Sequence, residues 1–437
     1  MPTRYVIVGN GPAGATAAQA IRERDATGDI HVIGAERHPF YSRPGLAYYL
    51  TGQVPEGALF SRPDKEYKRA GIKKTTATVR AVRPHVVDLS DGRSLPYDRL
   101  LLSVGAKAVR PDLPGIDLVG VVTLDNLDDA RHIVKLARKA ARAVVVGGGI
   151  TAVELAEGLA ANNVRVQYLL RGERYWSSVL ADHESQLVEA RLQADGISIR
   201  RNVELARVIG DRRNRVVGVE TKDGQLIACD MVAVAVGTQP RLELAQGAGV
   251  ETGRGIFADE FLRTSQPDIY VAGDAAEVLD PTTGRRGIDS LWSVANAQGR
   301  IAGANMAGDS RSFAPRPAPF NVTKIGGITT TVIGAIGAGG RDGDLVTLAR
   351  GDSNAWREQL EGFAIQDDVD ADHLRLILSD KRILGAVVMG DQSLTRPLLH
   401  LIRSQVDIGA VYERFAAGGR AEIVAAVALL LGTPDAL

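Results

Sequence analysis

Two stretches about 140 residues apart repeat one local plan, and that repeat leaves a chain of 437 residues few folds to choose from. The first is "RYVIVGNGPAGATAAQAIRE" at the N-terminus. Residues 5 to 8 form an apolar, β-prone run, Gly9, Gly11 and Gly14 complete G-x-G-x-x-G, and a helical pattern follows. The second is "ARAVVVGGGITAVELAEGLAANNVRVQYLLRGER", where Gly147, Gly149 and Ala152 take the three turn positions. In such a turn the first glycine permits the tight bend and the second lets the backbone approach a pyrophosphate. The third lets helix and strand pack closely, so that the helix N-terminus faces the phosphates. Pro12 and Ala13 open the first helix, and Ile150 and Thr151 the second, so these four are counted with the binding residues. One such loop is weak evidence, whereas two in one chain point to two dinucleotide sites. The predicted fold class is α/β, with two Rossmann-like dinucleotide-binding domains.

The two loops lead to different strand ends. After the first, the strand "IHVIGAE" ends at Glu36, 22 residues beyond Gly14, where an acid can bond a ribose hydroxyl. Arg37 beside it is counted with the same site. After the second, "VRVQYLL" has no terminal acid. Leu170 stands near that place, followed by Arg171 and then Arg174. A missing carboxylate with arginines nearby favours a ribose carrying a 2′-phosphate, so NADPH is expected ahead of NADH. The competing reading makes these arginines a solvated rim.

The totals exclude several classes. Lys+Arg and Asp+Glu both come to 52, so a globally basic nucleic-acid binder is not expected. A single cysteine, Cys229, rules out an internal disulfide framework and an iron–sulfur or Cys-rich zinc site of the chain's own. The 7 histidines are scattered without metal-ligand spacing, and no metal is expected. The N-terminus runs straight into a strand, so a secretory leader is not expected and the cytoplasm is the expected setting. The apolar run "IVAAVALLLG" is too short to span a bilayer and fits a buried helix or a contact in a homodimer.

Four further strings occur in order with the loops. "YDRLLLSVGA" (97–106) contains Ser103 and Gly105, and "DMVAVAVGTQPR" (230–241) contains Gly237. "TSQPDIYVAGDAAEV" (264–278) contains Gly273 and Asp274, and "LWSVANAQGRIAGANMAG" (291–308) contains Trp292. With them the sequence resembles the two-dinucleotide-binding flavoproteins of the pyridine nucleotide-disulfide oxidoreductase fold. More narrowly, it is similar to NAD(P)H:rubredoxin and ferredoxin reductases and to the flavin module of NAD(P)H nitrite reductases. The resemblance covers roughly residues 3–390. It implies an FAD domain at about 1–114 and 240–318, split by an inserted NAD(P)H domain at 115–239. A smaller α+β interface domain would occupy 319–437. The resemblance also implies that Asp274 bonds the ribityl chain and that Trp292 lies near the flavin ring, where a core tryptophan is the rival reading. "SFAPRPAPF" (312–320), with three prolines, reads as a hinge into the third domain. That domain is expected to hold strands in "ITTTVIGAIG", "LVTLARG", "LRLILSD" and "ILGAVVMG", followed by helices, with "QDDVDADH" a solvated loop.

In the disulfide-reducing branch of this family, a redox-active cysteine lies close to where this chain has Arg43 and Pro44. Cys229 instead sits in the apolar strand "LIACDMVAVAVG", where a buried inert thiol is expected. "YSRPGLAYYL" resembles the Arg-Pro motif of the carrier-reducing branch, which lines the flavin's pyrophosphate and ring pocket. A guanidinium fork suits phosphate oxygens, and a surface ion pair is the alternative. Oxygenase-linked ferredoxin reductases typically carry a Lys soon afterwards, where this chain has Tyr48. Glu154 matches the family glutamate that approaches the nicotinamide and the flavin, with an ordinary helix glutamate as its rival reading. The resemblance thus implies electron flow from NADPH or NADH through FAD to an external acceptor, either an iron–sulfur carrier or a haem-bearing reductase subunit. The alternatives are direct reduction of oxygen or small molecules, and a flavoprotein used for redox-dependent binding.

Overall fold

The computed structural model describes residues 1–281, 284–313, 320–334, 372–379, 381–417 and 420–432. Two five-stranded parallel sheets organise it. In the first the order is Ile269–Val271, Arg99–Leu102, Arg4–Val8, Asp29–Gly34, Ile72–Thr76. In the second it is Ser198–Arg200, Arg165–Leu169, Arg142–Val146, Met231–Val234, Val121–Val122. Both put the strand before the glycine loop in the centre, with the next strand parallel on one side and a late strand on the other. Central parallel strands are buried on both faces, which is why "YVIV" and "AVVV" read as unbroken apolar runs. Ile7, Leu101, Val144 and Val145 are fully buried.

Sequence explains the local starts and stops. Pro12, with no N–H to leave idle, opens the helix Pro12–Arg22. The helix Leu127–Ala137 begins at a capping box, in which the Asn126 side chain accepts from Asp129 N–H at 3.0 Å and the Asp129 carboxylate accepts from Asn126 N–H at 3.2 Å. The first phosphate helix lies tightly on the helix Trp292–Met306. A Cβ at Gly299 would come within 2.2 Å of the Ala13 carbonyl, and one at Gly303 within 2.5 Å of the Ala17 carbonyl. After a strand of each sheet the chain enters a two-stranded antiparallel ribbon, Ala106–Ala108 against Thr238–Pro240.

A four-stranded antiparallel sheet comes next, ordered Phe320–Ile325, Ile328–Gly334, Ile383–Met389, His373–Leu378. The helices Thr395–Arg403, Tyr412–Ala417 and Arg420–Leu431 come after it. Leu398, Leu401, Ala426 and Val427 form one core with Ile333 and Val388 of the sheet. Three of the four strand expectations fall wholly or partly on these strands. The "LVTLARG" segment, most of "QDDVDADH" and the centre of the proline-rich hinge lie outside the described residues. A buried ion pair ties this sheet to the second parallel sheet's side of the molecule. Fully buried Glu184 accepts from Arg375 Nε at 2.8 Å and contacts His373 Nε2 at 3.0 Å. Burial alone would raise the Glu184 carboxyl, but those partners and the Ala181 N–H hold it down at about 2.

Candidate functional site

The first glycine loop opens onto a cavity of about 670 Å3. Gly9 has φ +115°, and a Cβ there would lie 2.1 Å from the Ser103 carbonyl, so this position is glycine for reasons of backbone alone. Gly14 is equally constrained, its Cβ falling 2.0 Å from the Gly9 carbonyl and 2.7 Å from Ser103 Oγ. Gly11 is different, since nothing lies within 4 Å of a Cβ built on it. Its lack of a side chain keeps the cavity open, as a backbone approached by a pyrophosphate requires.

Of the residues expected around a flavin, Gly9, Gly11, Pro12, Ala13 and Glu36 line this cavity. So do Arg43, Pro44, Ser103, Gly105, Gly273, Asp274 and Trp292. Glu154 joins them from the other phosphate helix, Ile150–Ala161. Two expected residues do not. Gly14 sits behind the wall, holding helix to strand, and Arg37 points to solvent because the strand has ended and Glu36 takes the inward position. Trp292 is partly exposed to the cavity, with its ring 5.7 Å from Phe40.

The polar groups of the wall are held by long-range contacts. Arg43 donates to the Asp125 carbonyl and to the Glu36 carboxylate. Its side chain is 39% exposed and lines the cavity. Burial would lower its pKa, but Tyr41, Glu36, Asp125 and Asp274 around it hold the guanidinium firmly charged. Glu36 has a second partner, the Tyr41 hydroxyl, which donates to it at 2.6 Å and accepts from Leu127 N–H at 3.0 Å. Arg241 pairs with Asp125 at 2.8 Å and donates to the Val104 and Ala106 carbonyls. Tyr41, Asp125 and Arg241 were missed as wall residues from sequence. Arg241 closes the string "GTQPR", so a signal for it was present.

The second loop repeats the backbone logic. A Cβ on Gly147 would fall 2.2 Å from the Ala235 carbonyl, while Gly149 is open, with nothing within 4 Å. Ile150 is buried and Thr151 half-buried at the helix start, and Gly237, at φ +123°, follows the strand Met231–Val234. Leu170 is 1% exposed, so the place where an acid would stand is a core position. Arg171 is exposed, whereas Arg174 is paired with Asp182 at 2.7 Å.

The helix Gly45–Leu50, directly after Arg43-Pro44, is joined to the second phosphate helix. Gly158 leaves room for Leu50, whose Cβ would be 2.7 Å from any Cβ there. Asn162 Nδ2 donates to the Leu50 carbonyl at 2.9 Å and the Gly158 carbonyl at 2.7 Å. Cys229 is far less available. It is 1% exposed in the core on one face of the second sheet, and burial pushes its thiol up to about 12. Among the described residues no group of His, Cys, Asp and Glu could hold a metal ion, and no helix is long and apolar enough to cross a membrane.

Two glycine loops on two parallel sheets, the first opening onto a cavity that reaches Glu154 of the helix after the second, define an oxidoreductase architecture built for two dinucleotides. The comparisons agree. Residues 3–299 match the pyridine nucleotide-disulphide oxidoreductase family, and the chain belongs to it. Membership implies use of a flavin and a nicotinamide nucleotide. The chain is 32% identical over 337 residues to rubredoxin-NAD(+) reductase of Pseudomonas putida, covering 76% of this chain and 86% of that one. It is 30% identical over 330 residues to an NADH oxidase of Methanocaldococcus jannaschii, covering 71% and 72%. Its fold superposes on the covalent putidaredoxin reductase–putidaredoxin complex with a TM-score of 0.82 at 24% identity, over 97% of this chain and 99% of that chain.

Proposed function

We propose that this chain is a reductase that binds FAD in the 670 Å3 cavity, takes hydride from NADPH held over the second loop, and passes electrons to an external carrier. The observation that carries this reading is one cavity running from the first phosphate loop to Glu154 on the second phosphate helix, with Arg43-Pro44 where a thiol would serve. A bound flavin supplies the step from a two-electron donor to one-electron acceptors. The protein's own groups do the rest. The Pro12–Arg22 helix N-terminus and the Arg43 fork would hold the pyrophosphate, and Glu36, steadied by Tyr41, would take ribose hydroxyls. Asp274 would take the ribityl chain, and Trp292 would close the ring end against water. Arg171, exposed beside the second loop, would meet a 2′-phosphate. The acceptor would be a small iron–sulfur carrier or a haem-bearing reductase subunit, in line with the rubredoxin reductase relative. An FAD domain of residues 1–114 and 240–318, an NAD(P)H domain of 115–239 and an interface domain of 319–437 belong to the same proposal.

The NADH oxidase relative favours a second reading, direct transfer to oxygen. The test is anaerobic and aerobic turnover of the purified protein with NADPH, with the bound flavin released and identified. Reduction of cytochrome c that depends on added rubredoxin or ferredoxin supports the carrier reading. Oxygen consumption that outpaces any carrier would replace it. Cys229→Ser should leave either rate within about threefold, and a loss above tenfold, roughly 1.4 kcal/mol in barrier, would bring thiol chemistry back.

A further inference from the structure

The second phosphate helix has a chamber on each side of Glu154. One is the flavin cavity. The other, of about 380 Å3, lies between the helices Gly45–Leu50 and Ile150–Ala161 and the strand Phe320–Ile325. Pro44 and Glu154 line both, so the two chambers meet there. Glu157, three residues further along the helix and therefore on the same side, lines only the second. Exposed Gln53 and Asp195 form part of its wall, which puts it in reach of solvent. At ~30 Å3 per water, a space of this size holds a short chain of them.

A hydride donor serving one-electron acceptors leaves a proton behind. The balance is NAD(P)H + 2 acceptor(oxidised) → NAD(P)+ + 2 acceptor(reduced) + H+. The electrons leave singly, but the hydrogen nucleus that arrived with them stays in the flavin cavity until something carries it out. Resting on the reductase reading above, we propose that the second chamber is the outlet for this proton, with Glu154 at its neck and the Glu157 carboxylate accepting the proton and releasing it to solvent.

The surroundings of Glu157 suit that task. Its carboxyl is pushed up to about 7, chiefly by burial and also by Asp195, against the Gly326 and Gly327 N–H groups and Lys324, which favour the charged form. Both protonation states are thus close in energy near neutral pH, as an efficient proton carrier requires. The groups facing it are Glu154 on its own helix, Tyr48 from the Gly45–Leu50 helix, Asp195 after the Asp182–Ala194 helix, and Lys324 from the C-terminal sheet. Tyr175, fully buried nearby, also feels its charge. Gly326 N–H donates to Glu157 Oε1 at 3.0 Å, so the same carboxyl also docks the turn between two strands of that sheet.

A docking role alone would survive Glu157→Gln, because an amide oxygen still accepts from Gly326 N–H, while an amide cannot carry the proton. The experiment is stopped-flow reduction of ferricyanide by the NADPH-driven holoenzyme, with a pH-indicator dye in weak buffer. Wild type should release one proton per two ferricyanides, in step with their reduction, and turnover should rise with pH through about 7 as Glu157 becomes a carboxylate. Glu157→Gln should slow proton release and ferricyanide turnover by tenfold or more, flatten that pH profile, and leave the first anaerobic reduction by NADPH within about twofold. Infrared titration of the resting protein should show a carboxyl band with a midpoint near pH 7 that Glu157→Gln removes. Asp195→Asn, on the chamber wall, should move the midpoint to lower pH by removing a negative neighbour. Unchanged proton release in Glu157→Gln, or an unmoved midpoint in Asp195→Asn, overturns the outlet. A wild type that cannot reduce ferricyanide at all sinks the reductase reading instead, so the two failures are told apart.

Discussion

The two glycine loops share a backbone plan but differ at the third turn position and at the end of the following strand. In the first loop Gly14 admits no side chain, whereas in the second Ala152 fills the equivalent place and is fully buried. A Cβ built on Gly147 would lie 3.1 Å from the Ala152 Cβ, so a glycine at the first turn position leaves that methyl its room. In the first, the strand end presents Glu36 to the cavity with two partners holding it. In the second, Leu170 turns into the core and the exposed group is Arg171. The pair separates what the turn needs for its own folding from what is left open to a ligand: the first glycine serves the fold in both loops, the second is open in both, and on the proposed function the strand end would choose which nucleotide.

The harshest way to break this comparison is Gly14→Ala. Its Cβ would meet backbone and Ser103 Oγ together, so we expect a loss of about 3–5 kcal/mol in urea unfolding of the flavin-free protein. Ala152→Gly should cost only about 0.5–1 kcal/mol. Equal effects at the two sites would mean that the loops are packed alike. Next comes Gly11→Val, at a position where a Cβ meets no protein atom within 4 Å. Flavin-free stability should stay within about 1 kcal/mol of wild type, while visible absorbance shows bound flavin falling below a tenth. Gly149→Val should do the reverse, keeping the flavin and weakening the nicotinamide nucleotide. Flavin loss in both variants, or in neither, would contradict the assignment of one nucleotide to each loop.

The smallest effect sharpens the contrast at the strand ends. Removing one charge-assisted contact costs about 1.5–3 kcal/mol, so Arg171→Ala should raise the NADPH Michaelis constant by tenfold or more and leave NADH kinetics unchanged. Arg174→Ala should do less, since that guanidinium is already paired with Asp182. Steady-state kinetics with both nucleotides at fixed acceptor decide it. Equal losses with both would make Arg171 structural, and a wild type that prefers NADH would end the 2′-phosphate assignment.

Local features were the ones legible in the sequence. Strand, turn, helix and strand-end acid lie within about 30 residues of one another, so both loops, Glu36 and the absent acid at Leu170 could be read directly. The Asp274 and Trp292 strings were legible through resemblance. The network that orients the wall was not, because it is made across the chain. Tyr41 reaches Leu127 and Arg241 reaches Asp125, 86 and 116 residues apart. Nothing within a single segment marks those pairings. Arg37 lies outside the cavity wall for the opposite reason, since adjacency to Glu36 says nothing about which side of the strand end a residue takes.

The joint between Leu50 and Gly158 has a practical consequence for anyone recombining this protein with a relative. A graft that replaced the second loop and its helix, but brought any residue larger than glycine to position 158, would drive Leu50 outward and drag Pro44 from the wall of the larger cavity. A chimera that keeps both cavities in shape therefore has to inherit residues 43–50 and 150–162 from the same parent, although 99 residues of chain separate them.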